Sequence, residues 1–103
     1  MSVLTITDNN FEDEVLNSDK TVLIDFYADW CGPCQMMKPS VEEFEKNHPE
    51  IKVRSINIDE EDELAEKYEV STIPCFVVLK DGEEVRREVG VLSPKKLEKL
   101  VRE

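Results

Sequence analysis

The run Thr21-Val22-Leu23-Ile24-Asp25-Phe26-Tyr27 is followed after two residues by Trp30-Cys31-Gly32-Pro33-Cys34. Five of the seven residues in the first run are apolar or aromatic, which predicts a central strand buried on both faces. The second segment lies where this strand gives way to a helix, and it contains two thiols three positions apart. Cysteines at this spacing form and break a disulfide with each other, so the pattern predicts thiol–disulfide exchange.

Cys31 is the predicted nucleophile and Cys34 the predicted resolving thiol. The first turn of a helix has N–H groups without intrahelical partners and a partial positive charge, and both stabilise a thiolate on Cys31. Cys34 lies one turn further along, on the same side and less exposed. Pro33 fits the first turn because its missing N–H would have no partner there. Gly32 leaves space for the backbone of a substrate.

A metal site is the alternative use of paired cysteines. A structural zinc ion normally takes four Cys or His ligands, usually as two close pairs. Beyond the pair the chain has only Cys75 and His48, each isolated in the sequence, so we predict no metal. His48 lies at a helix exit and is predicted to be a surface residue without a catalytic role.

Asp25 is the one charged residue within the apolar run, six positions before Cys31. An outward-facing strand residue is the simpler interpretation. Its neighbours on both faces are expected to be buried, however, and a buried lone carboxylate has a raised pKa and exchanges protons near neutrality. We therefore predict that Asp25 takes part in proton transfer, with Cys34 as its partner.

The composition predicts one globular domain over residues 1–103. The chain has 24 acidic and 13 basic residues, and the net charge of −11 argues against nucleic acid and anionic membranes as partners. No apolar run approaches the roughly 18 residues of a membrane span. The first residues lack the basic start of a secretory signal. We expect a cytoplasmic protein, in which structural disulfides are uncommon.

Strands and helices alternate along the chain, which favours an α/β fold. The first part of the chain predicts a strand over residues 3–6 and a helix that is capped by Thr7 and Asp8 and carries Phe11, Val15 and Leu16. The strand over residues 21–27 is followed by a long helix from Cys34 to Asn47. A strand over residues 52–58 and a helix opened by residues 59–62 come next. Met36 and Met37 are predicted to pack around the first turns of the long helix.

The last third predicts a hairpin and a final helix. Two runs predicted as strands, residues 74–79 and 84–89, flank the turn Lys80-Asp81-Gly82-Glu83. An Asp-Gly pair between such runs is a strong signal for two antiparallel strands. Ser93 and Pro94 then supply the N-cap and the first residue of a helix whose apolar residues are Leu97, Leu100 and Val101.

Several segments together resemble the thioredoxin family. They are residues 26–34 around the two thiols, Asn57-Ile58-Asp59 at the end of a strand, Ile73-Pro74 before the next strand, Lys80-Asp81-Gly82-Glu83, and Val89-Gly90-Val91-Leu92-Ser93. Their order and spacing match the family over essentially the whole chain. The resemblance implies a thioredoxin fold, which is a five-stranded mixed sheet flanked by four helices, two on each face.

The resemblance also implies how a substrate binds. It implies a cis peptide bond between Ile73 and Pro74, beside the two thiols. The backbone at Ile73 would pair with an extended substrate segment in the manner of an added strand. For Trp30, ordinary packing is the alternative to contact with a partner. The implied apolar contact surface around Cys31 consists of Trp30, Ile73, Pro74, Gly90 and Val91.

Two positions depart from the family's pattern. Many bacterial members have a lysine near the buried aspartate at the position matching Ser55, and a serine does not supply that charge. Asp25 is therefore expected to titrate higher or to depend more on water. Cys75 stands where the family usually has threonine after the proline. It is either a buried, inert strand residue or a thiol open to glutathione or a partner, and reactivity requires exposure and a lowered pKa.

The resemblance implies a general protein-disulfide reductase. The Cys31 thiolate attacks a protein disulfide, and Cys34, deprotonated with help from Asp25, releases the reduced product. The dipeptide Gly32-Pro33 resembles that of the reducing members of the fold and contributes to the redox potential. Because the chain has no nucleotide-binding signature, we expect no bound cofactor. Electrons should arrive from a flavoprotein, thioredoxin reductase, and the protein is expected to be a monomer.

Two other functions stay open at this point. The first is an oxidase or isomerase on the same fold, which the reduction potential would separate, since about 30 mV changes the exchange equilibrium tenfold. The second is a binding or chaperone-like subunit in which the thiols are incidental. It predicts full cellular function after both Cys31 and Cys34 are replaced by serine.

Overall fold

The computed structural model describes residues 3–102, and within them a sheet carries helical segments on both faces. The strands are β1 (Leu4–Thr5), β2 (Thr21–Tyr27), β3 (Ile51–Asn57), β4 (Cys75–Lys80) and β5 (Glu83–Val89). The helical segments are a π-helical turn (Glu12–Leu16), α1 (Gly32–Asn47), α2 (Asp62–Lys67) and α3 (Pro94–Arg102). This arrangement confirms the predicted α/β class, with five strands and four helical segments.

β2 lies at the centre of the sheet, as its apolar sequence predicts. The strand order is β1-β3-β2-β4-β5. β1, β3 and β2 are parallel, whereas β4 and β5 are each antiparallel to the preceding strand in that order, so the sheet is mixed. In this register Asp25 lies between Ser55 on β3 and Phe76 on β4.

Alternation along β2 divides the core into two layers. Val22, Ile24 and Phe26 pack with residues of the π-helical turn and α2 on one face. Leu23 packs with residues of α1 and α3 on the other face. Because successive side chains of a strand point to opposite faces, Asp25 shares the face of Leu23 and points towards α1. Two helical segments therefore cover each face, as expected.

The start of the chain differs most from the prediction. The strand expected over residues 3–6 is only two residues long, and the expected helix is a π-helical turn that begins at Glu12. Thr7 and Asp8 do not cap it, because residues 7–10 form a turn of their own, in which the Asn10 N–H donates to Thr7 O at 3.2 Å. Asn10 Oδ1 in turn accepts the Thr7 N–H at 2.8 Å.

The hairpin forms around Asp81 and Gly82, as predicted. Both residues have positive φ, 52° and 80° respectively, which is the geometry of a tight two-residue hairpin turn. Gly82 is also closely packed, since a Cβ at this position would lie 2.9 Å from the carbonyl oxygen of Leu16. A side chain at Gly82 would therefore strain the backbone and clash with the Leu16 carbonyl oxygen.

The longer helices follow the start and stop signals of the sequence. α1 begins directly after its N-cap, Cys31, and ends before His48. Ser93 Oγ accepts the Lys96 N–H at 3.2 Å, which confirms the predicted cap of α3. α2 begins later than predicted, at Asp62, because residues 58–60 form a turn. No helix within the described range has the length and apolar character that a membrane crossing requires.

Two predictions about side-chain positions are wrong. His48 is half-buried: its ring stacks on Phe44 with the centroids 4.0 Å apart, and Nε2 lies 3.5 Å from Glu98 Oε2. It therefore links the end of α1 to α3. Met37 is buried as predicted, but Met36 is 69% exposed. Adjacent residues of an α-helix point about 100° apart, so only one of the two faces the core.

Candidate active site

The two cysteines of the motif lie at the junction between β2 and α1. The chain turns after Tyr27, and the Cys31 N–H donates to Ala28 O at 3.2 Å. Cys31 is extended, with φ −88° and ψ 110°, and it is the N-cap of α1, while Pro33 occupies the first helical turn. This confirms the predicted location of the pair at the start of a helix.

Cys31 and Cys34 form a disulfide in this structure. Their Cα atoms are 5.2 Å apart, and the Cys34 N–H donates to Cys31 Sγ at 3.2 Å. In the reduced protein this N–H and the positive end of the α1 dipole would stabilise a thiolate on Cys31. Cys31 is 5% exposed and Cys34 is 2% exposed, so Cys31 is the slightly more accessible of the two.

The space next to the disulfide is open on the Gly32 side. A Cβ added to Gly32 would meet no atom within 4 Å, and both Gly32 and Pro33 are exposed. On another side, Ile73 O lies 3.9 Å from Cys31 Sγ. A sulfur in a disulfide has no proton to donate, so this is a contact and not a hydrogen bond. A backbone carbonyl therefore lies directly beside the sulfur that a substrate would approach.

Trp30 is exposed next to the disulfide. The side chain is 69% exposed, and its Nε1 donates to Asp59 Oδ2 at 2.7 Å. This hydrogen bond orients the indole although the ring is outside the core. A tryptophan that served only to pack the core would be much less exposed, so this exposure favours the interpretation that Trp30 contacts a partner.

The loop that precedes β4 lies beside the disulfide as well. The peptide bond between Ile73 and Pro74 is cis, as the resemblance implied, and Ile73 packs against the disulfide. The Gly90 N–H donates to Pro74 O at 2.8 Å, which brings the adjacent Val91, 53% exposed, to this region. Pro74 itself is buried, so it differs from the expected surface residue and supports the surface from below.

Asp25 lies on the face of β2 that α1 covers and is 5% exposed. Its Oδ1 is buried and has no hydrogen-bond partner among the described residues. Burial raises the pKa of this carboxyl from 3.8 to about 7, although the Lys38 ammonium lowers it. The group therefore changes its charge near neutral pH, as expected of a proton carrier.

Asp25 and Cys34 line the same cavity, which has a volume of about 210 Å³. The cavity lies between α1 and the β1–β3–β2 part of the sheet, and its polar walls and size leave room for water. The carboxyl and the thiol therefore face the same space. The lining residues are Val3, Thr5, Asp25, Tyr27, Cys34, Lys38, Val41, Glu42 and Ser55.

Lys38 was not among the predicted site residues, although its spacing points to the site. It follows Cys34 by four positions, and residues four apart on an α-helix share a face. That spacing is visible in the sequence, but only the packing of α1 against the sheet shows that this face covers Asp25. Ser55 lines the same cavity and brings a hydroxyl group, not a charge, as expected from its identity.

Cys75 is 1% exposed and belongs to the core layer shared with the π-helical turn and α2. Burial raises the pKa of its thiol, which disfavours the reactive thiolate. Both observations favour the interpretation of Cys75 as an inert core residue.

No group of three or more His, Cys, Asp or Glu side chains within residues 3–102 has an arrangement that could hold a metal ion. His48 follows the C-terminal end of α1, whereas Cys31 precedes its N-terminal end. The one histidine of the chain thus lies at the opposite end of the 16-residue α1 from the cysteine pair.

Comparison with known proteins gives a consistent result. A model of the Thioredoxin family matches residues 2–103. The thioredoxin of Rickettsia bellii is 45% identical over 87 residues, which cover 84% of this chain and 83% of that protein. The thioredoxin of Chlamydia pneumoniae is 41% identical over 99 residues, which cover 96% and 95%.

A solved structure has the same fold. It comes from work on the structural basis of the thiol resolving mechanism in yeast mitochondrial 1-Cys peroxiredoxin via glutathione/thioredoxin systems. Its matching chain has a TM-score of 0.88 and 31% identity, and the match covers 98% of this chain and 94% of that one. With a family match over nearly every residue, and with a disulfide at the start of a helix beside a cis-proline, the chain belongs to the thioredoxin family of protein-disulfide oxidoreductases.

Proposed function

We propose that this member of the family is a general protein-disulfide reductase that works through Cys31 and Cys34. The observation that carries the proposal is the position of the Cys31 sulfur, at the N-terminus of α1 and beside the Ile73 carbonyl oxygen. Thiol–disulfide exchange requires a thiolate that a substrate can reach. The helix terminus favours the thiolate, and the open space near Gly32 admits the substrate.

The reaction transfers two electrons from the dithiol to the substrate. The Cys31 thiolate attacks one sulfur of a substrate disulfide, forms a mixed disulfide and releases the other substrate sulfur as a thiolate. Cys34 then loses its proton and attacks Cys31 Sγ, which breaks the mixed disulfide and frees the second substrate thiolate. The products are a reduced substrate and the Cys31–Cys34 disulfide that the structure contains.

Asp25 is the proposed proton acceptor in the second step. Its carboxylate takes the proton from Cys34, either directly or through water in the cavity that both residues line. A pKa of about 7 suits this role, because the group then binds and releases a proton at neutral pH. When the disulfide is reduced again, Asp25 returns the proton to Cys34.

Substrates are proposed to bind across Trp30, Ile73, Gly90 and Val91, with Pro74 beneath them. The exposure of the Trp30 and Val91 side chains supports this surface. An extended substrate segment would pair with the backbone at Ile73 as an added strand, which holds its disulfide close to Cys31. Recognition through the backbone depends little on sequence, so it suits a reductase with many substrates.

The disulfide must be reduced after each turnover, and we propose thioredoxin reductase, a flavoprotein, as the electron donor. Gly32 and Pro33 are proposed to contribute to a potential suited to reduction. The net charge of −11 supports protein partners over nucleic acid and anionic membranes. We further propose that residues 1–103 act as a single-domain, cytoplasmic monomer without a bound cofactor.

The test is reduction of insulin disulfides in the presence of NADPH and a thioredoxin reductase. Wild-type protein should sustain NADPH oxidation, whereas Cys31→Ser should abolish it. Cys75→Ser is the matched control, because it also removes one thiol but at a buried position in a different core cluster from the disulfide, and it should retain turnover. Loss of turnover in Cys31→Ser but not in Cys75→Ser would show that the reaction requires the Cys31 thiol.

Absence of turnover in the wild type would contradict the proposal if the Cys31–Cys34 pair still cycles with dithiothreitol. That result would favour a dedicated partner, another electron donor or an oxidase or isomerase activity. A measured reduction potential then tests the oxidase or isomerase alternative, since a tenfold change in the exchange equilibrium is about 30 mV.

A further inference from the structure

One lysine side chain lines the cavity beside the disulfide and takes no part in the two thiol–disulfide exchange steps. Lys38 lines the cavity together with Asp25 and Cys34. Its Nζ lies 5.9 Å from the centre of the Tyr27 ring, on the strand that carries Asp25. Because Lys38 and Cys34 are four residues apart on α1, the helix presents both to the cavity from the same face.

The other groups that face Asp25 do not balance its negative charge. Thr5 on β1 and Ser55 on β3 bring hydroxyl groups, and Phe76, its neighbour on β4, is apolar. Glu42, on the turn of α1 after Lys38, is itself an anion. Lys38 is therefore the one cation among the residues that line the cavity. The titratable or charged lining residues other than Asp25 are Tyr27 from β2 and Cys34, Lys38 and Glu42 from α1.

We propose that Lys38 is a positioning residue for proton transfer, whose ammonium stabilises the Asp25 carboxylate across the cavity and keeps it available to accept the Cys34 proton. The proposal rests on the proposed role of Asp25 in the second step of the reaction. The step itself is unchanged: the proton moves from Cys34 Sγ to the carboxylate, and the new thiolate attacks Cys31 Sγ. Lys38 acts through Asp25 and does not exchange a proton itself.

The direction of the effect follows from the two forms of the carboxyl. Only the carboxylate accepts a proton, so below its titration midpoint the rate of the second step rises in proportion to the ionised fraction. Burial disfavours the carboxylate, and the Lys38 ammonium opposes burial. A charge held near Asp25 makes it a slightly weaker base, but near neutral pH the larger ionised fraction outweighs this loss, since proton-transfer rates depend only fractionally on basicity.

The first measurement is the titration of the Asp25 carboxyl carbon by ¹³C NMR in wild type and Lys38→Gln. Lys38 is exposed, so solvent weakens its effect, and we expect the midpoint to rise by roughly half to one pH unit. Lys46→Gln is the matched control: it removes the same charge from the same helix at an exposed position outside the cavity. The Asp25 midpoint in Lys46→Gln should equal that in the wild type.

The second measurement follows the resolving step directly. A mixed disulfide between Cys31 and thionitrobenzoate, prepared in a Cys75→Ser background, releases the coloured thiol when Cys34 attacks. At pH 6.5 this release should be roughly twofold slower in Lys38→Gln, because the smaller ionised fraction of Asp25 outweighs the gain in its basicity. Ser55 is the register partner of Asp25 on β3, so Lys38→Gln combined with Ser55→Lys should restore the rate.

Equal carboxyl midpoints in Lys38→Gln and wild type would overturn the proposal. So would an equal shift in Lys46→Gln, which would indicate a general effect of net charge. A raised midpoint with an unchanged release rate would also overturn the role of Lys38 in proton transfer, while leaving insulin reduction by the wild type intact. Failure of insulin reduction would instead contradict the proposed function, and the carboxyl titration, which needs no turnover, is independent of it.

Discussion

Replacing Asp25 with asparagine should stabilise the oxidised protein far more at alkaline than at acid pH. The pKa of the buried carboxyl is about 7, compared with 3.8 for an aspartate in water. Between these values the folded protein keeps a proton that the unfolded chain has already released. Since the folded state then binds more protons, the free energy of unfolding falls as pH rises through this window and levels off above it.

The structure also sets the size of this effect. Each tenfold change in an equilibrium corresponds to about 1.4 kcal/mol. A pKa raised from 3.8 to about 7 therefore destabilises the folded state by about 4 kcal/mol at pH 8. Asparagine has nearly the same shape and no charge, and the free energy of burying its amide does not vary with pH. The difference between two pH values thus isolates the carboxylate.

The assay is urea unfolding of the oxidised protein at pH 4.5 and pH 8. The free energy of unfolding of Asp25→Asn minus that of the wild type should be about 3 kcal/mol larger at pH 8 than at pH 4.5. This difference corresponds to a shift of the urea midpoint by about 1 to 3 M. Asp29→Asn is the matched control, because it removes the same charge from an exposed position in the same segment. Its difference from wild type should not depend on pH in this way.

An equal advantage of Asp25→Asn at both pH values would refute the reasoning. It would mean that the carboxyl ionises in the folded protein as readily as in the unfolded chain. The unpartnered Oδ1 would then have to be solvated well enough through the cavity to offset its burial.

Three further outcomes are expected. Cys75 should resist iodoacetamide in the native oxidised protein and react in 8 M urea, as followed by mass spectrometry; modification of the native protein would contradict its burial. Gly82→Ala should lower the free energy of unfolding by about 1–3 kcal/mol, because of its positive φ and the nearby Leu16 carbonyl, whereas Gly32→Ala, which meets no atom within 4 Å, should change it little. Ser93→Ala should lower the thermal stability by about 1 kcal/mol through loss of the α3 cap, and Ser93→Asp, which keeps an acceptor, should not.

Local patterns in the sequence were sufficient for most of the framework. The apolar run predicts β2 with its bounds, because a strand buried on both faces excludes almost every polar residue. The Asp81-Gly82 turn and the Ser93 cap were predictable because each depends on conformations or hydrogen bonds within a few residues. The π-helical turn was not, because residues 7–10 close on themselves and displace the expected cap.

The candidate site also has features that the sequence predicts and features that depend on tertiary packing. The sequence by itself determined the two thiols, their location at the start of α1 and the unusual aspartate in the apolar run, because each is a property of neighbouring residues. Only the tertiary structure decided that Asp25 shares a cavity with Cys34 and Lys38, and that Ile73 O lies beside the Cys31 sulfur. Ile73 and Cys31 lie 42 residues apart in the chain, and both arrangements depend on the strand order and on the packing of α1 on the sheet.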